Sequence, residues 1–461
     1  TSRTLFGTQN YSLLLRLANF WTSFSPMPSL FCNFVMLEFC NGTHMQYVII
    51  PPKNINAHIM LPASKSISNR ALIIQALSGS SIKPDNLSDC DDTQVIVKAF
   101  KEKPEVIDVK AAGTAMRFMT AYLSATEGEH TITGTERMKH RPIGVLVDAL
   151  RYLGADIEYK GEEGYPPLHI NGHKLEGGSI EIPGDVSSQY ISALLMIAPT
   201  FTAGLELKLT GEIVSRPYID LTLHLMHQFG IVAEWTDFDT ISVKPQTYKS
   251  RHYTIENDWS ASSYWYEILA LQEEIGASVT LPGLMNGSRQ GDSSVKYIFS
   301  LLGVKTNFAN KEEGALTDVT LTRHNCMLNR LDYDFINQPD LAQALIAACP
   351  VLGIPFHFTG LGSLKIKETD RIVAMKTEMA KLGFVLHETN DSELSWDGER
   401  CEPAEQPTID TYEDHRMAMS FAPLAIKLGK IRINNPEVVS KSYPHYWEDL
   451  RKAGFQIEEI R

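Results

Sequence analysis

Nothing in this sequence approaches the run of about 18 apolar residues that a membrane-crossing helix needs, so no membrane partner is expected. Cysteine is scarce and scattered. The six residues Cys32, Cys40, Cys90, Cys326, Cys349 and Cys401 form no CxxC pair and no histidine-spaced cluster. That excludes a zinc-ligand pattern and a disulfide framework, and it fits free thiols in a reducing, cytoplasmic compartment. Positive charge is also short. The 42 Lys and Arg face 55 Asp and Glu, for a net charge of −13. Such a chain has no global electrostatic footprint for nucleic acid, so any anionic ligand needs cations gathered locally. There is no Walker A loop, no GxGxxG after a strand and no GxSxG elbow. His415 lacks a partner histidine at helical spacing. No metal, nucleotide or other cofactor is expected.

What is present is a globular composition: 461 residues, 43% hydrophobic and 21% charged. The length exceeds one ordinary core, which predicts two domains. Residues 1–44 differ from the rest. They hold one acid, Glu38, and two strong bases, Arg3 and Arg16, with no periodicity. Arg16 interrupts the short apolar run that a secretory signal would need; the scarcity of acids leaves a transit peptide open, and the scarcity of Arg counts against it. These residues are expected to be an extension outside the fold, which starts near Met45.

From there one pattern recurs: an apolar helix, a glycine, then an alternating strand. It is written as "VLVDALRYLGADIEY", "LTLHLMHQFGIVAEW", "VKYIFSLLGVKTNF", "IVAMKTEMAKLGFVLHE" and "YWEDLRKAGFQIEEI". The glycines are Gly154, Gly230, Gly303, Gly383 and Gly454, each a natural left-handed helix cap. A second helix type alternates with the first. It is apolar on nearly all sides, as a buried helix is, but its start is polar. The copies begin "SKSISNR", "AGTAMR", "VSSQY", "SASSYW", "QPDLAQ" and "DHRMAM". Six α/β units, three to a domain, follow from this count.

The polar starts carry the function. A helix N-terminus offers unpaired N–H groups and a partial positive charge, so it holds anions. Lys65, Ser66 and Arg70 surround the first start; Gly113 and Thr114 form the second, with Arg117 one turn in. "RPIG" sets Arg141 beside a proline at the first helical position, and Ser187, Ser188 and Gln189 supply neutral donors. "KIKETDRIVAM" packs both charge signs where an apolar run begins. Lys367, Arg371, His415 and Arg416 lie at or near helix starts, where cations are unfavourable unless an anion is present. Each motif alone reads as an ordinary cap or a solvated ion pair. Two charged motifs in corresponding units, "KETDR" and "DHR", do not.

Taken in order, "LPASKSISNRALI", "AGTAMR", "RPIGVLVDALRYLGA", "SSQYISALLM", "SRPYIDLT", "KETDR", "TYEDHRMAM" and "SKSYPHYW" resemble the 5-enolpyruvylshikimate-3-phosphate synthase family from about Tyr47 to the C-terminus. The resemblance implies an inverted α/β barrel of two domains, each of three βαβαββ units with helices inside and sheets outside. It puts residues 45–61 and 252–461 in one domain and 62–251 in the other. It implies transfer of the enolpyruvyl group of phosphoenolpyruvate to the 5-hydroxyl of shikimate 3-phosphate, with release of phosphate, on the route to aromatic amino acids. The hydroxyl attacks C2 while C3 takes a proton, and the tetrahedral intermediate then loses phosphate and a C3 proton.

By the same resemblance, Lys65, Arg141, Arg371, Arg416 and Lys441 form the phosphoenolpyruvate clamp, with Gly113 and Gln189 beside it. Lys65, Ser66, Arg70, Ser187, Ser188, Gln189, Ser215, Tyr218, Asp340 and Lys367 hold shikimate 3-phosphate. Asp340 is the implied base, Glu368 with Lys65 the implied proton shuttle, and His415 a supporting group. A monomer without nucleic-acid partners is implied. Two positions depart from the family pattern, Ala111 for the usual Asn before "AGT" and Ser363 for the Asn that usually precedes the family's "WRVKETDR". Retained Gly113 implies glyphosate sensitivity. The related UDP-N-acetylglucosamine enolpyruvyl transferases generally use a Cys (Asp in some members) in a first-half loop, and here no Cys lies between Cys90 and Cys326. A catalytically inactive anion-binding homologue is the remaining alternative, opposed by the joint presence of Lys65, Asp340 and Glu368.

Overall fold

Helices that are apolar all round can sit only between other elements, and here they form the interior. In Trp259–Leu271 every residue but Ser260 is buried, and in Ala342–Val351 every residue but the last. Strands of period two face outward: Leu205–Thr210 alternates buried and exposed positions. The computed structural model describes residues 45–460, so the expectation for residues 1–44 lies outside the described residues. Residues Gln46–Ile460 form one compact α/β unit.

Twelve helices fall into six pairs, as the repeats predict. Five pairs carry a four-stranded sheet of one recurring order. In Val106–Asp108, Gly128–Thr133, Asp156–Tyr159 and Leu168–Gly172, the first two strands pair in parallel across a helix, and the rest pair antiparallel. This is the βαβαββ unit. Among the described residues the sheets stay separate, so the barrel is an arrangement of sheets and not a closed hydrogen-bonded cylinder.

Two sheets are closed by strands distant in sequence. Gln46–Ile50 inserts between Ile431–Asn434 and Gln456–Ile460, tying the start of the fold to its end. Asn56–His58 pairs with Ser278–Met285, although residues 62–255 come between them. The buried hydrophobic side chains accordingly form two clusters, one drawn from residues 63–255 and the other from 49–61 with 259–455.

The five cap glycines all take positive φ, from 81° at Gly303 to 104° at Gly154. The sixth pair, Lys65–Leu77 and Asp91–Glu102, is different. Its second helix ends on Lys103 at φ 47° instead of a glycine. The strand after it, Val106–Asp108, belongs to the next sheet. In place of its own sheet this pair has only the isolated bridges Ala63↔Asn257 and Asp85↔Thr254. The connecting segment "SGSSIKPDNLSDC" has no alternating apolar residues with which to form one.

Candidate functional site

The polar helix starts converge on one cleft enclosing about 710 Å³ of solvent-open space. From the first core come the starts of Lys65–Leu77, Gly113–Ser124, Ser188–Ile197 and Arg216–Gln228. The Ser64 and Ser187 hydroxyls cap their helices, leaving Lys65, Ser66, Ser188 and Gln189 to face the cleft. The second core sends the starts of Arg371–Lys381 and His415–Phe421, capped by Asp370 and Asp414. Asp340 sits on the short turn Pro339–Leu341 between them.

Every site residue expected from the sequence lines this cleft except Lys441, which stands at its wall and reaches Glu368 Oε1 with Nζ at 3.2 Å. The Lys441 ammonium also donates to the Ala111 carbonyl at 2.7 Å, so it spans both cores. One expected detail differs. The helix after Arg141 begins at Gly144, so Pro142 precedes its cap, Ile143. The Pro142 carbonyl instead accepts from Arg117 Nη2 at 2.8 Å and Tyr190 Oη at 2.6 Å, which holds it out of the helical frame.

Ion pairs fill the second-core side. Arg371 donates to Asp340, Glu368 and Asp414 at 3.2, 2.9 and 2.7 Å. Arg416 Nη2 meets Asp340 Oδ2 at 2.9 Å, and Lys367 Nζ lies 3.7 Å from Oδ1. Burial alone would raise the Asp340 carboxyl, but Arg416, Lys367, Arg371 and Lys65 outweigh it and hold it well below the usual range. Burial likewise works against the Glu368 carboxylate, and Lys441, Arg371 and Arg141 overcome it. Both groups are therefore carboxylates in this structure. His415 is the opposite case: burial, then Lys65, push it well below its ordinary value, so its imidazole is neutral.

The first-core side is short of negative charge. Lys65 pairs with Asp92 at 3.3 Å. Among the described residues neither Arg70 nor Arg141 pairs with a carboxylate. Arg70 is 3% exposed and bonds only neutral oxygens, those of Thr222, Ser192, Ser66 and Tyr218. Burial lowers its guanidinium to about 10. A Cβ on Gly113 would lie 2.5 Å from Arg141 Nη1, so the missing side chain is what lets that guanidinium lie against the helix start. Ser215 takes the left-handed conformation at φ 55°, held by its N–H bond to Ile336 O of the other core at 2.8 Å.

Two acids escaped the sequence reading, Asp92 in the lining of the cleft and Asp292 behind its Tyr218. Asp92 follows the unremarkable "SDCD" and resembles a first-turn helix acid. Asp292 accepts from Tyr218 Oη at 3.0 Å and from Ser260 Oγ. Its only signal was a lone "GD", which no spacing rule marks.

Fold and cleft together define a class of protein: an α/β enzyme whose cleft gathers converging helix starts and cationic side chains between two cores. The chain belongs to the EPSP synthase (3-phosphoshikimate 1-carboxyvinyltransferase) family, whose model matches residues 49–102 and 98–450. It is 59% identical over 414 residues to the 3-phosphoshikimate 1-carboxyvinyltransferase of Bacteroides fragilis (strain YCH46), covering 90% of this chain and 99% of that one. Its identity to the Photobacterium profundum protein of the same name is 36%, over 87% and 97% of the two chains. The fold matches an Acinetobacter baumannii EPSP synthase with a TM-score of 0.72 at 22% identity, over 90% of this chain and 100% of that one. It matches the enolpyruvyl transferase NikO of Streptomyces tendae at 0.66 and 15%, over 90% and 99%.

Proposed function

We propose that this cleft joins phosphoenolpyruvate to the 5-hydroxyl of shikimate 3-phosphate and releases phosphate. The observation that carries the reading is the opposition of two half-sites. One is a first-core wall of serines, helix starts and Arg70 and Arg141, which pair with no carboxylate among the described residues. The other is a second-core wall where Asp340 and Glu368 sit among Lys367, Arg371, Arg416 and Lys441.

The first-core wall suits the phosphate ester. Ser187, Ser188, Ser215, Tyr218 and Arg70 offer hydroxyls and a guanidinium to phosphate oxygens. The forked groups of Arg141, Arg371 and Arg416, with Lys441, take the carboxylate and phosphate of phosphoenolpyruvate. Asp340 and Glu368 pair with these cations. Arriving anions compete for them, which loosens both carboxylates and raises their proton affinity toward what a base needs. Asp340 then takes the hydroxyl proton as oxygen attacks C2. Glu368, having taken up a proton as those cations turn to the arriving anions, delivers it with Lys65 to C3 and recovers one from C3 as the bond between C2 and the phosphate oxygen breaks, and the phosphate leaves with the proton that Asp340 took. The two cores behave as domains meeting at residues 62–64 and 256–258, the second a few residues past the 251/252 boundary expected from the sequence because Tyr253 and Ile255 pack in the first core, and they close on the ligands. The protein works as a cytoplasmic monomer, and glyphosate competes at the Gly113–Arg141 wall.

The test is phosphate release from phosphoenolpyruvate. It is expected only when shikimate 3-phosphate is present. Release with UDP-N-acetylglucosamine in its place would move the chain to the sister activity, and none with either would make it a non-catalytic homologue.

A further inference from the structure

The chain passes between the cores twice, and the two passages lie side by side. Ser64 N–H donates to Glu256 O, and Asp258 N–H to Pro62 O, both at 2.9 Å, around the Ala63↔Asn257 bridge. The Lys65 N–H adds a bond to Asp258 Oδ2 at 3.3 Å, and a ladder this short still leaves room to twist. A third strand of contact comes from neither passage. Gln290 is 5% exposed, and its side chain touches both. Its Oε1 accepts from Ser64 Oγ at 3.0 Å and from Trp259 N–H at 3.2 Å, while its Nε2 donates to Asn257 O at 2.9 Å.

The Ser64 hydroxyl is thereby aimed. Its proton goes to Gln290, so its lone pairs face the Ile67 N–H that it caps. That helix start presents Lys65, Ser66 and Arg70 to the cleft. The next two residues continue the link. A Cβ on Gly291 would lie 2.7 Å from Pro217 Cβ, so only glycine lets this loop meet the first core there. Asp292 then holds Tyr218 Oη. Three consecutive residues thus read the passage, the opposite core and a cleft tyrosine.

We propose that Gln290 is a positioning residue of the reaction, which fixes the twist of the two passages and through Ser64 sets Lys65 against the carboxylates of the opposite core. It touches no substrate atom. The inference rests on the proposed reaction, because its effect is read in turnover. A misplacement of about 1 Å costs roughly a hundredfold in rate, which sets the size of the effect.

Two variants test it. Gln290→Leu keeps the bulk and removes all three bonds. It is expected to lower kcat/KM by roughly a hundredfold at every pH, in protein that circular dichroism shows to be folded. Gln290→Glu keeps the acceptor but replaces the donor by an oxygen facing Asn257 O. When protonated, the new carboxyl is isosteric with the amide and donates again. Its activity relative to wild type is therefore expected to climb as pH falls, while that of Gln290→Leu stays flat. The titratable groups around it are Glu256 and Asp258 of the returning passage, Lys65 of the outgoing helix, Lys296 of the next helix and Asp292 of its own loop. All are present in wild type, so the ratio removes their effects. A purely structural role would alter stability and leave the folded protein's pH profile unmoved. Wild-type kcat/KM in Gln290→Leu, or no acid recovery in Gln290→Glu, overturns the proposal. If wild type itself shows no turnover, the reading of the site falls instead. Hydrogen exchange at Ile67 and Trp259 in ligand-free protein then decides the hinge. Faster exchange in Gln290→Leu, with acid recovery in Gln290→Glu, supports it, and unchanged exchange overturns it.

Discussion

Arg371 grips Asp414 with two donors: Nε meets Oδ2 at 2.7 Å and Nη2 meets Oδ1 at 3.2 Å, and both side chains are almost wholly buried. Asp414 thus serves as a fixed counterion. It holds the guanidinium in one plane, with its other edge turned to Asp340 and Glu368, and its Oδ1 also caps Arg416 N at 2.9 Å. Removing one partner of a buried pair strands the other charge. Asp414→Ala is expected to cost about 3–5 kcal/mol in stability, read by denaturant unfolding. Little or no loss would mean that Asp340 and Glu368 neutralise Arg371 unaided.

Asp340 is the group on which turnover depends most. Asp340→Asn keeps the shape, leaves one oxygen for either Arg416 or Arg371 and an NH2 facing the other, and removes the base. It is expected to lower kcat by about two to four powers of ten, with an unchanged circular-dichroism spectrum. Wild-type turnover would take Asp340 out of the reaction.

Gly113 tests the wall beside Arg141. A methyl group there meets the guanidinium at 2.5 Å, and the far end of that side chain can swing away more readily than backbone. Gly113→Ala is therefore expected to fold normally and to raise the KM for phosphoenolpyruvate, with a smaller effect on the KM for shikimate 3-phosphate. Steady-state kinetics with each substrate varied in turn would show it. An equal rise for both would place the methyl's effect outside the phosphoenolpyruvate half-site.

The cap glycines and the charged starts were readable because each is a local necessity. Gly154 and Gly383 follow helices that must turn left-handed, and "KETDR" with "DHRMAM" puts cations where a helix start repels them. Lys103 took the same left-handed role without the residue type that announces it, so the sixth unit lacked its mark. Pro142 looked like a helix's first residue, because its capture by Arg117 and Tyr190 depends on elements distant in sequence. Asp92 and Asp292 were invisible for the same reason. Each is defined by a partner distant in sequence, Lys65 on the other helix of its own pair or Tyr218 in another unit, and no single stretch contains both halves of the pair.

Glu267 is a carboxyl in the second core with no use in the cleft. It is fully buried, neither oxygen has a hydrogen-bond partner among the described residues, and burial pushes it well above its ordinary 4.5. The folded state therefore keeps a proton that the unfolded chain gives up. Folding is undisturbed below about pH 4.5 and loses stability as pH rises from there toward the folded-state value. Glu267→Gln keeps the volume and cannot ionise. It is expected to match wild type in acid and to be the more stable protein at pH 7, as seen in paired thermal melts. Equal stability at both pH values would mean that the carboxyl finds a partner or water when it ionises.

Arg70 sets stability against binding most directly. Its guanidinium is buried, bonds only neutral oxygens and is lowered to about 10 by the loss of water. A cation held this way costs folding free energy that only an anion in the cleft returns. Arg70→Met replaces it with an apolar chain, and Thr222 Oγ1 keeps its bonds to Ser192 and the Tyr218 carbonyl. Without ligand the variant is expected to melt no lower than wild type. With shikimate 3-phosphate, wild type is expected to gain several degrees and the variant almost none. If both gain equally, the serines and helix starts hold the phosphate unaided, and Arg70 is a structural cation whose charge the ligand never meets.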